Sequence, residues 1–254
     1  MSKKILLLFC ITISFACNTK NEKLTNVVIL IDFSKSISPL TLEWYKEVVK
    51  KEVIIELDEK DQITVLPIDY GSSTGSIELL HANLAEKTFK YLLDSPINAD
   101  KKIKTRKEKY LKEIAIGFDS TFNYSVSARV KYSLGTDVLG VLKQANKYYT
   151  INQNNLLIVF SDMINETEEL DLNKNLTNQS DIQTILQKIT VPQYGKWDII
   201  IMTGDQPGMK IQKYHLLQKF WEEYFLKTNI NMADYQSGGV SILKKKLKEY
   251  KTAF

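Results

Sequence analysis

Cysteine and histidine are scarce in this chain of 254 residues, which contains two of each. Both cysteines, Cys10 and Cys17, lie close to the amino terminus, so the rest of the chain offers neither a disulfide nor a thiol nucleophile. His81 and His215 are far apart in sequence and form no H-x-x-x-H pattern, which disfavours a zinc site or a histidine base. We expect each to be a partly buried histidine on a helix.

Phosphate-binding motifs are missing as well, since neither G-x-x-x-x-G-K-[ST] nor G-x-G-x-x-G occurs. The segment 71–75 formally matches the G-x-S-x-G nucleophile elbow, with Ser73 as nucleophile and Asp198 or Asp205 plus His215 as its partners. However, only about two predicted strands precede Ser73, fewer than an α/β-hydrolase sheet supplies. We therefore expect a protein that is not an enzyme, and we keep a hydrolase as a minor alternative.

The amino terminus carries an export pattern, because the charged M-S-K-K is followed by the apolar run I-L-L-L-F-C-I-T-I-S-F-A. This run is too short to span a bilayer comfortably. Its end, S-F-A-C, resembles a bacterial lipoprotein signal, although Ser14 and Phe15 depart from the usual pattern. The resemblance implies a signal peptide at 1–16, acylation of Cys17 and a polar tether at 17–25, with plain secretion or an uncleaved anchor as alternatives. We expect a lipid-anchored protein of the bacterial cell envelope and leave its side of the membrane open.

Charge indicates no particular partner, since the formal net charge is only +4. Lysine and arginine cluster at 101–112 and 244–251, in both cases interleaved with apolar residues at helical spacing. Such clusters are typical of solvated helix faces. For a membrane-tethered domain they could also contact anionic lipid headgroups. An exported protein is not expected to bind nucleic acid.

Apolar strands alternate with amphipathic helices along the body of the chain, which predicts a doubly wound, mostly parallel α/β sheet flanked by helices, Rossmann-like in outline. No repeat or proline-rich linker divides it, so we expect one domain over 26–254 with a helical insertion at about 77–131. The strands are expected at 27–32, 62–68, 156–160, 197–202 and, as an edge, 229–236. The helices are expected at 39–56, within 77–93, at 98–118, from 138, and at 181–189, 210–226 and 240–251.

The most informative segment is V-V-I-L-I-D-F-S-K-S-I-S-P at 27–39, an apolar strand that runs into an oxygen-rich turn. Asp32, Ser34 and Ser36 are spaced two apart, so in an extended segment their side chains point to the same side. Ser38 and Pro39 then predict the start of a helix. Ligands of open α/β sheets bind just beyond the carboxyl ends of strands, which is where these oxygen groups lie.

Two further segments place similar chemistry at the ends of predicted elements. Thr136 lies in a glycine-containing loop directly before a helix, and Asp162 follows the apolar strand L-L-I-V-F and Ser161. A hard divalent cation prefers oxygen ligands. Two aspartates roughly neutralise such an ion, and three hydroxyls add ligands without further charge. One coordination position would remain for an outside group.

These residues give the chain its resemblance to von Willebrand factor A-type (VWA) domains. Such domains carry a metal-ion-dependent adhesion site built from D-x-S-x-S, a threonine on a second loop and an aspartate on a third. The matching residues here are Asp32, Ser34 and Ser36, then Thr136, then Asp162. The resemblance covers roughly 26–235 and is weak through 70–131, where the usual third strand is not evident.

The resemblance implies that these five residues hold Mg²⁺, or Mn²⁺ or Ca²⁺, directly or through water. The Asp or Glu of a protein partner would complete the coordination. Three alternatives remain: a turn that binds no metal, a metal-free scaffold that binds through the 77–131 insertion, and metal-assisted hydrolysis at Asp32 and Asp162.

Overall fold

A six-stranded sheet forms the centre of the molecule in the computed structural model, which describes residues 24–70, 72–75, 77–129 and 135–252. The strand order is β3-β2-β1-β4-β5-β6. All neighbouring strands are parallel except β2 and β3. The strands are β1 (Thr25–Asp32), β2 (Gln62–Ile68), β3 (Leu80–Asn83), β4 (Asn154–Phe160), β5 (Asp198–Met202) and β6 (Asn231–Gln236).

Helices cover both faces of the sheet, as the continuous apolar strands predict. Along β1, Val28 and Leu30 face one core layer, whereas Val27, Ile29 and Ile31 face the other. The first layer contains α3 (Val138–Ala145), α5 (Gln179–Lys188) and α6 (Ile211–Thr228), and the second contains α1 (Pro39–Val48), α2 (Ala99–Arg129) and α7 (Ser241–Thr252). A short helix, α4 (Leu172–Asn175), lies in the acidic loop after β4. The fold is the doubly wound α/β architecture that the sequence predicts.

Helix α1 begins where its sequence predicts. The Ser38 side chain accepts a hydrogen bond from the backbone amide of Thr41 at 3.0 Å, and Pro39 occupies the first turn. Beyond Val48 the chain continues as a π-helical segment, Val49–Val53, and a 3₁₀ turn, Ile54–Glu56. The predicted helix at 39–56 is thus helical throughout but changes its winding.

The region 77–93 differs from its prediction. Instead of a partly helical segment it contains β3, which pairs antiparallel with β2, and a 3₁₀ turn at Leu84–Glu86. His81 therefore lies on a strand rather than on a helix, and it is exposed, as is His215 on α6. The helix expected at 98–118 is confirmed and continues to Arg129. The third strand that the sequence did not reveal is this short edge strand.

The predicted signal peptide, Cys17 and nearly all of the tether lie outside the described residues. Strand β1 begins at Thr25, the last residue assigned to that tether. In the part of the chain that the structure describes, no helix is long and apolar enough to cross a membrane.

Candidate metal centre

Asp32 occupies the carboxyl end of β1 and is completely buried. One carboxylate oxygen, Oδ1, accepts a hydrogen bond from the backbone amide of Ser34 at 2.8 Å. The other, Oδ2, accepts one from the hydroxyl of Ser161 at 2.6 Å. The carboxylate is therefore fixed from both sides at the edge where the parallel strands end.

The two serines of the turn lie side by side, with 2.8 Å between their Oγ atoms. Ser34 is buried, whereas Ser36 is exposed. Phe33, between Asp32 and Ser34, points into the core and packs against Phe122 of α2 with ring centroids 5.1 Å apart. That packing turns the side chains at 32, 34 and 36 away from the core, so the hydroxyl row leads from the buried carboxylate to the surface.

Asp162 follows β4 and is also buried. Its Oδ1 accepts a hydrogen bond from the backbone amide of Ile164 at 3.0 Å, and the Ser36 hydroxyl lies close enough to the same carboxylate to lower its pKa. Met163 has a φ of 62°, a left-handed conformation that costs a residue with a side chain about 1–2 kcal/mol. The indole of Trp221 stabilises this turn by donating to the Met163 carbonyl at 2.9 Å. The first and third predicted loops therefore meet through Ser36 and Asp162.

Thr136 is buried at the start of α3, where backbone contacts connect its loop to that of Asp162. Its carbonyl accepts a hydrogen bond from the amide of Glu166 at 2.8 Å. A Cβ on Gly135 would lie 2.7 Å from the carbonyl oxygen of Glu166, so this close approach requires glycine. Asp137 caps α3 by accepting from the amide of Gly140 at 2.8 Å. The second loop is thus fixed beside the third.

Burial and, second to it, the nearby carboxylate of Asp162 raise the pKa of Asp32 to about 7, against the lowering effect of its hydrogen bonds. Burial likewise raises the pKa of Asp162. Among the described residues, no lysine or arginine forms an ion pair with either carboxylate. Two buried carboxylates without a cationic partner are electrostatically unfavourable, and a bound cation would relieve this.

The donor set suits a hard cation. In the described part of the chain, no group of three or more His, Cys, Asp or Glu side chains could hold a metal ion. What converges here is two carboxylates and the hydroxyls of serines, with Thr136 buried on the adjoining loop, and carboxylate and hydroxyl oxygens are ligands that Mg²⁺, Mn²⁺ and Ca²⁺ accept. The residues present fit such an ion, and their assignment as its ligands stays a prediction.

An open groove of about 610 Å³ begins at this cluster. Ser36 and Asp162 line one end, and the loop before α6 lines the other. Apolar side chains contribute to its walls, among them those of Ile164, Leu176, Met209 and Leu216. The cluster is therefore accessible to a group that arrives through the groove.

One residue of this cluster, Ser161, was not predicted from the sequence. Besides donating to Asp32, its hydroxyl accepts a hydrogen bond from the amide of Met163 at 2.9 Å. In the sheet, Ile31 pairs with Phe160, so the next residue of each strand, Asp32 and Ser161, must also be neighbours. Aligning the ends of the two apolar strands would have revealed this pair.

The segment that matches a nucleophile elbow has a different local structure. Ser72–Thr74 forms a 3₁₀ turn between β2 and β3, and the helix that an elbow requires after its serine does not follow in the described residues. Asp198 lies at the start of β5, at the opposite end of the sheet, where it binds Lys246 at 2.8 Å. The predicted pairing of Ser73 with Asp198 is therefore not formed.

No known family profile matches the chain, and no curated protein matches it in sequence. Solved structures do resemble it. Proximal thread matrix protein 1 from the mussel byssus is 12% identical with a TM-score of 0.42, over 90% of this chain and 47% of that one. The manganese-loaded TRAP protein of Plasmodium vivax is 12% identical with a TM-score of 0.33, over 77% and 63%. The N-terminal domain of TFIIH p34 is 10% identical with a TM-score of 0.33, over 92% and 100%.

The chain thus spans less than two thirds of the first two of these structures. With TM-scores below 0.5, these likenesses are too distant to assign a role to any residue of this chain. The properties of the site follow from the chain's own geometry.

Proposed function

We propose that this chain is a divalent-metal-dependent protein-binding module. Mg²⁺, or Mn²⁺ or Ca²⁺ in its place, would be held by the side chains at the carboxyl edge of the sheet and would capture an Asp or Glu carboxylate of a protein partner. The observation that carries this proposal is the convergence of two buried carboxylates with hydroxyl groups. The proposed ligands are Asp32, Ser34, Ser36, Thr136 and Asp162.

Each residue has a distinct part in this proposal. Asp32 and Asp162 supply the negative charge, while Ser34 and Ser36 supply neutral oxygens along the path to the surface. Ser161 and the Ser34 amide would position Asp32 through their hydrogen bonds of 2.6 and 2.8 Å. A bound ion supplies the positive charge that a partner's carboxylate requires.

Access favours a partner of macromolecular size. Ser36 is exposed, and the groove of about 610 Å³ that begins there is open and partly apolar. A carboxylate on an extended segment could reach the ion while neighbouring apolar side chains contact Ile164, Leu176 or Met209. A protein partner could contact both the ion and the apolar groove, whereas a small anion would contact only the ion.

We further propose that the module is lipid-anchored in a bacterial cell envelope through an acylated Cys17. The amino-terminal export pattern and the S-F-A-C sequence support this proposal. Lipid attachment would confine the module to a membrane surface.

Thermal unfolding of the full chain with and without metal tests the metal site. Mg²⁺ at a hundred times its dissociation constant should stabilise the native state by about 2.7 kcal/mol, or roughly 5–10 °C in melting temperature. Asp162→Asn should lose this increase. As a matched control, Asp61→Asn alters another buried aspartate, at the amino end of the sheet, and should keep it. An unchanged melting temperature in the wild-type chain would refute the metal site.

A further inference from the structure

Large apolar side chains project into solvent from one loop, Tyr91–Ile97, which we call the apolar tip. Leu92, Leu93 and Ile97 are 106%, 97% and 91% exposed. Tyr91 is 54% exposed. Single exposed apolar residues are common, but a cluster of this kind on one loop marks a surface that contacts something apolar.

Hydrogen bonds and an ion pair hold the apolar tip in a defined turn. Asp94 accepts two hydrogen bonds from the guanidinium of Arg106 on α2, at 2.6 and 2.9 Å, and a third from the amide of Tyr91 at 3.0 Å. The guanidinium also lies 4.3 Å from the ring centroid of Tyr91 and donates to the carbonyl of the buried Phe89 at 2.8 Å. Arg106 holds the pKa of Asp94 well below its usual range. These contacts hold Asp94 against α2, whereas Leu92 and Leu93 remain exposed to solvent.

The apolar tip lies at the amino end of the sheet, the same end at which the chain enters β1. Asp61 links the start of β1 to the segment that leads into the tip, because its carboxylate accepts from the amide of Thr25 at 3.0 Å and its carbonyl accepts from the amide of Leu84 at 2.9 Å. A chain from Cys17 to Thr25 can span at most roughly 25 Å. An anchor at Cys17 would therefore keep this end of the domain close to the bilayer.

Helix α2 places the tip at the amino end of the sheet. Phe122 on α2 contacts Phe33 at the carboxyl end of β1, whereas Lys107 binds Asp58, before β2, at 2.8 Å. The helix thus runs along the sheet towards its amino end. Arg106, which holds the tip through Asp94, is the neighbour of Lys107, so the tip lies at this end of the sheet.

Positive charge surrounds the apolar tip. Lys90, Lys101 and Lys104 are exposed on either side of it. Exposed lysines beside exposed leucines are the combination that binds the interface of an anionic bilayer, because the leucines enter the acyl boundary while the lysines contact headgroup phosphates.

We infer that the apolar tip inserts into the anionic phospholipid bilayer to which the chain is anchored. This inference rests on the proposed lipid anchor and is independent of the metal site. Insertion at the amino end of the sheet would direct the opposite edge, with Asp32 and Asp162, away from the membrane. The domain would then present its metal site to partners at a fixed orientation instead of moving freely on its tether.

A fluorophore that reports its depth in a bilayer tests this inference. Leu92→Cys in the full chain would be labelled with an environment-sensitive dye and reconstituted into vesicles of phosphatidylethanolamine and phosphatidylglycerol, part of it brominated high on the acyl chains. Insertion of about 5–10 Å brings the dye to the bromine atoms, so its emission should fall about two-fold. Leu40→Cys is the matched control, since Leu40 is 84% exposed but lies at the metal-site end and its dye should not be quenched.

Three results would overturn the inference in distinguishable ways. The wild-type chain should take up no dye, because Cys17 would be acylated and Cys10 removed, so labelling of the wild type would show that the anchor is wrong. If the wild type stays unlabelled and the dye at position 92 is quenched no more than the dye at position 40, insertion is wrong although the anchor holds. An emission shift of the dye at position 92 that occurs without vesicles and grows with protein concentration would also overturn insertion. It would indicate contact between copies of the chain instead.

Discussion

Replacing Asp32 by asparagine should reverse the stability order of variant and wild type, depending on whether metal is present. Without metal, the buried carboxylate near Asp162 is unfavourable in its charged form, and the neutral amide avoids this cost. With metal, the same carboxylate is the main source of binding energy. We therefore expect Asp32→Asn to be more stable than the wild type in chelator and less stable in Mg²⁺.

The magnitude follows from the contacts of Asp32. Its pKa lies at about 7 instead of 3.8, and at about 1.4 kcal/mol per pKa unit the charged form costs up to about 4 kcal/mol at pH 8. The asparagine keeps an oxygen for the Ser34 amide but loses the charge-assisted bond from Ser161, worth about 1.5–3 kcal/mol. The net gain in chelator is about 1–2 kcal/mol, or roughly 2–8 °C in melting temperature.

Urea and thermal unfolding of the full chain at pH 8, in chelator and in saturating Mg²⁺, measure both sides of this reversal. Asp61→Asn is the control. Its carboxylate accepts from the backbone amides of Thr25 and Asp58, away from the metal site, so the difference in stability between this variant and the wild type should be the same in chelator and in Mg²⁺. The reasoning is refuted if Asp32→Asn is several degrees less stable than the wild type in chelator, or if both respond equally to Mg²⁺.

Three further predictions concern the same edge of the sheet. The folded pKa of Asp32 is raised to about 7 from 3.8, so between these pH values the metal-free native state binds more protons than the unfolded chain. The stability of the wild type relative to Asp32→Asn should therefore fall as the pH rises from 4 to 7, by up to about 1.4 kcal/mol per pH unit in urea titrations. A difference that stays constant with pH would contradict this. Trp221→Phe removes the indole donor to Met163 and should lower the free energy of unfolding by about 1–3 kcal/mol, whereas an unchanged urea midpoint would show that this bond does not hold the turn. Gly135→Ala places a Cβ against the Glu166 carbonyl and should lower the free energy of unfolding by about 1–3 kcal/mol. It should also weaken the Mg²⁺ affinity measured by calorimetry, and an affinity equal to that of the wild type would mean that the two loops are not coupled.

The main parallel strands and most helices could be predicted because their signals are local. Continuous apolar runs at β1, β4 and β5 predict strands buried on both faces, and Ser38 with Pro39 predicts the start of α1. That the loops of Asp32 and Asp162 lie at the same edge of the sheet also follows from the sequence, since parallel strands end at one edge.

The features that were missed depend on contacts between distant segments. Strand β3 has only four residues, Leu80–Asn83, and exposes His81, so no alternation marks it as a strand. It forms because an edge of β2 is available for pairing. The turn of Met163 likewise depends on a hydrogen bond from Trp221, fifty-eight positions away in sequence, which no local pattern indicates.

Crystals of the protein grown with Mn²⁺ would test the central claim most directly, through an anomalous difference map. The proposal predicts one peak at the carboxyl edge of the sheet, about 2.1–2.2 Å from the hydroxyl oxygens of Ser34 and Ser36, with Asp32 and Asp162 bound directly or through water. A map without a peak between these residues, at a Mn²⁺ concentration that saturates exposed carboxylates elsewhere on the molecule, would contradict it.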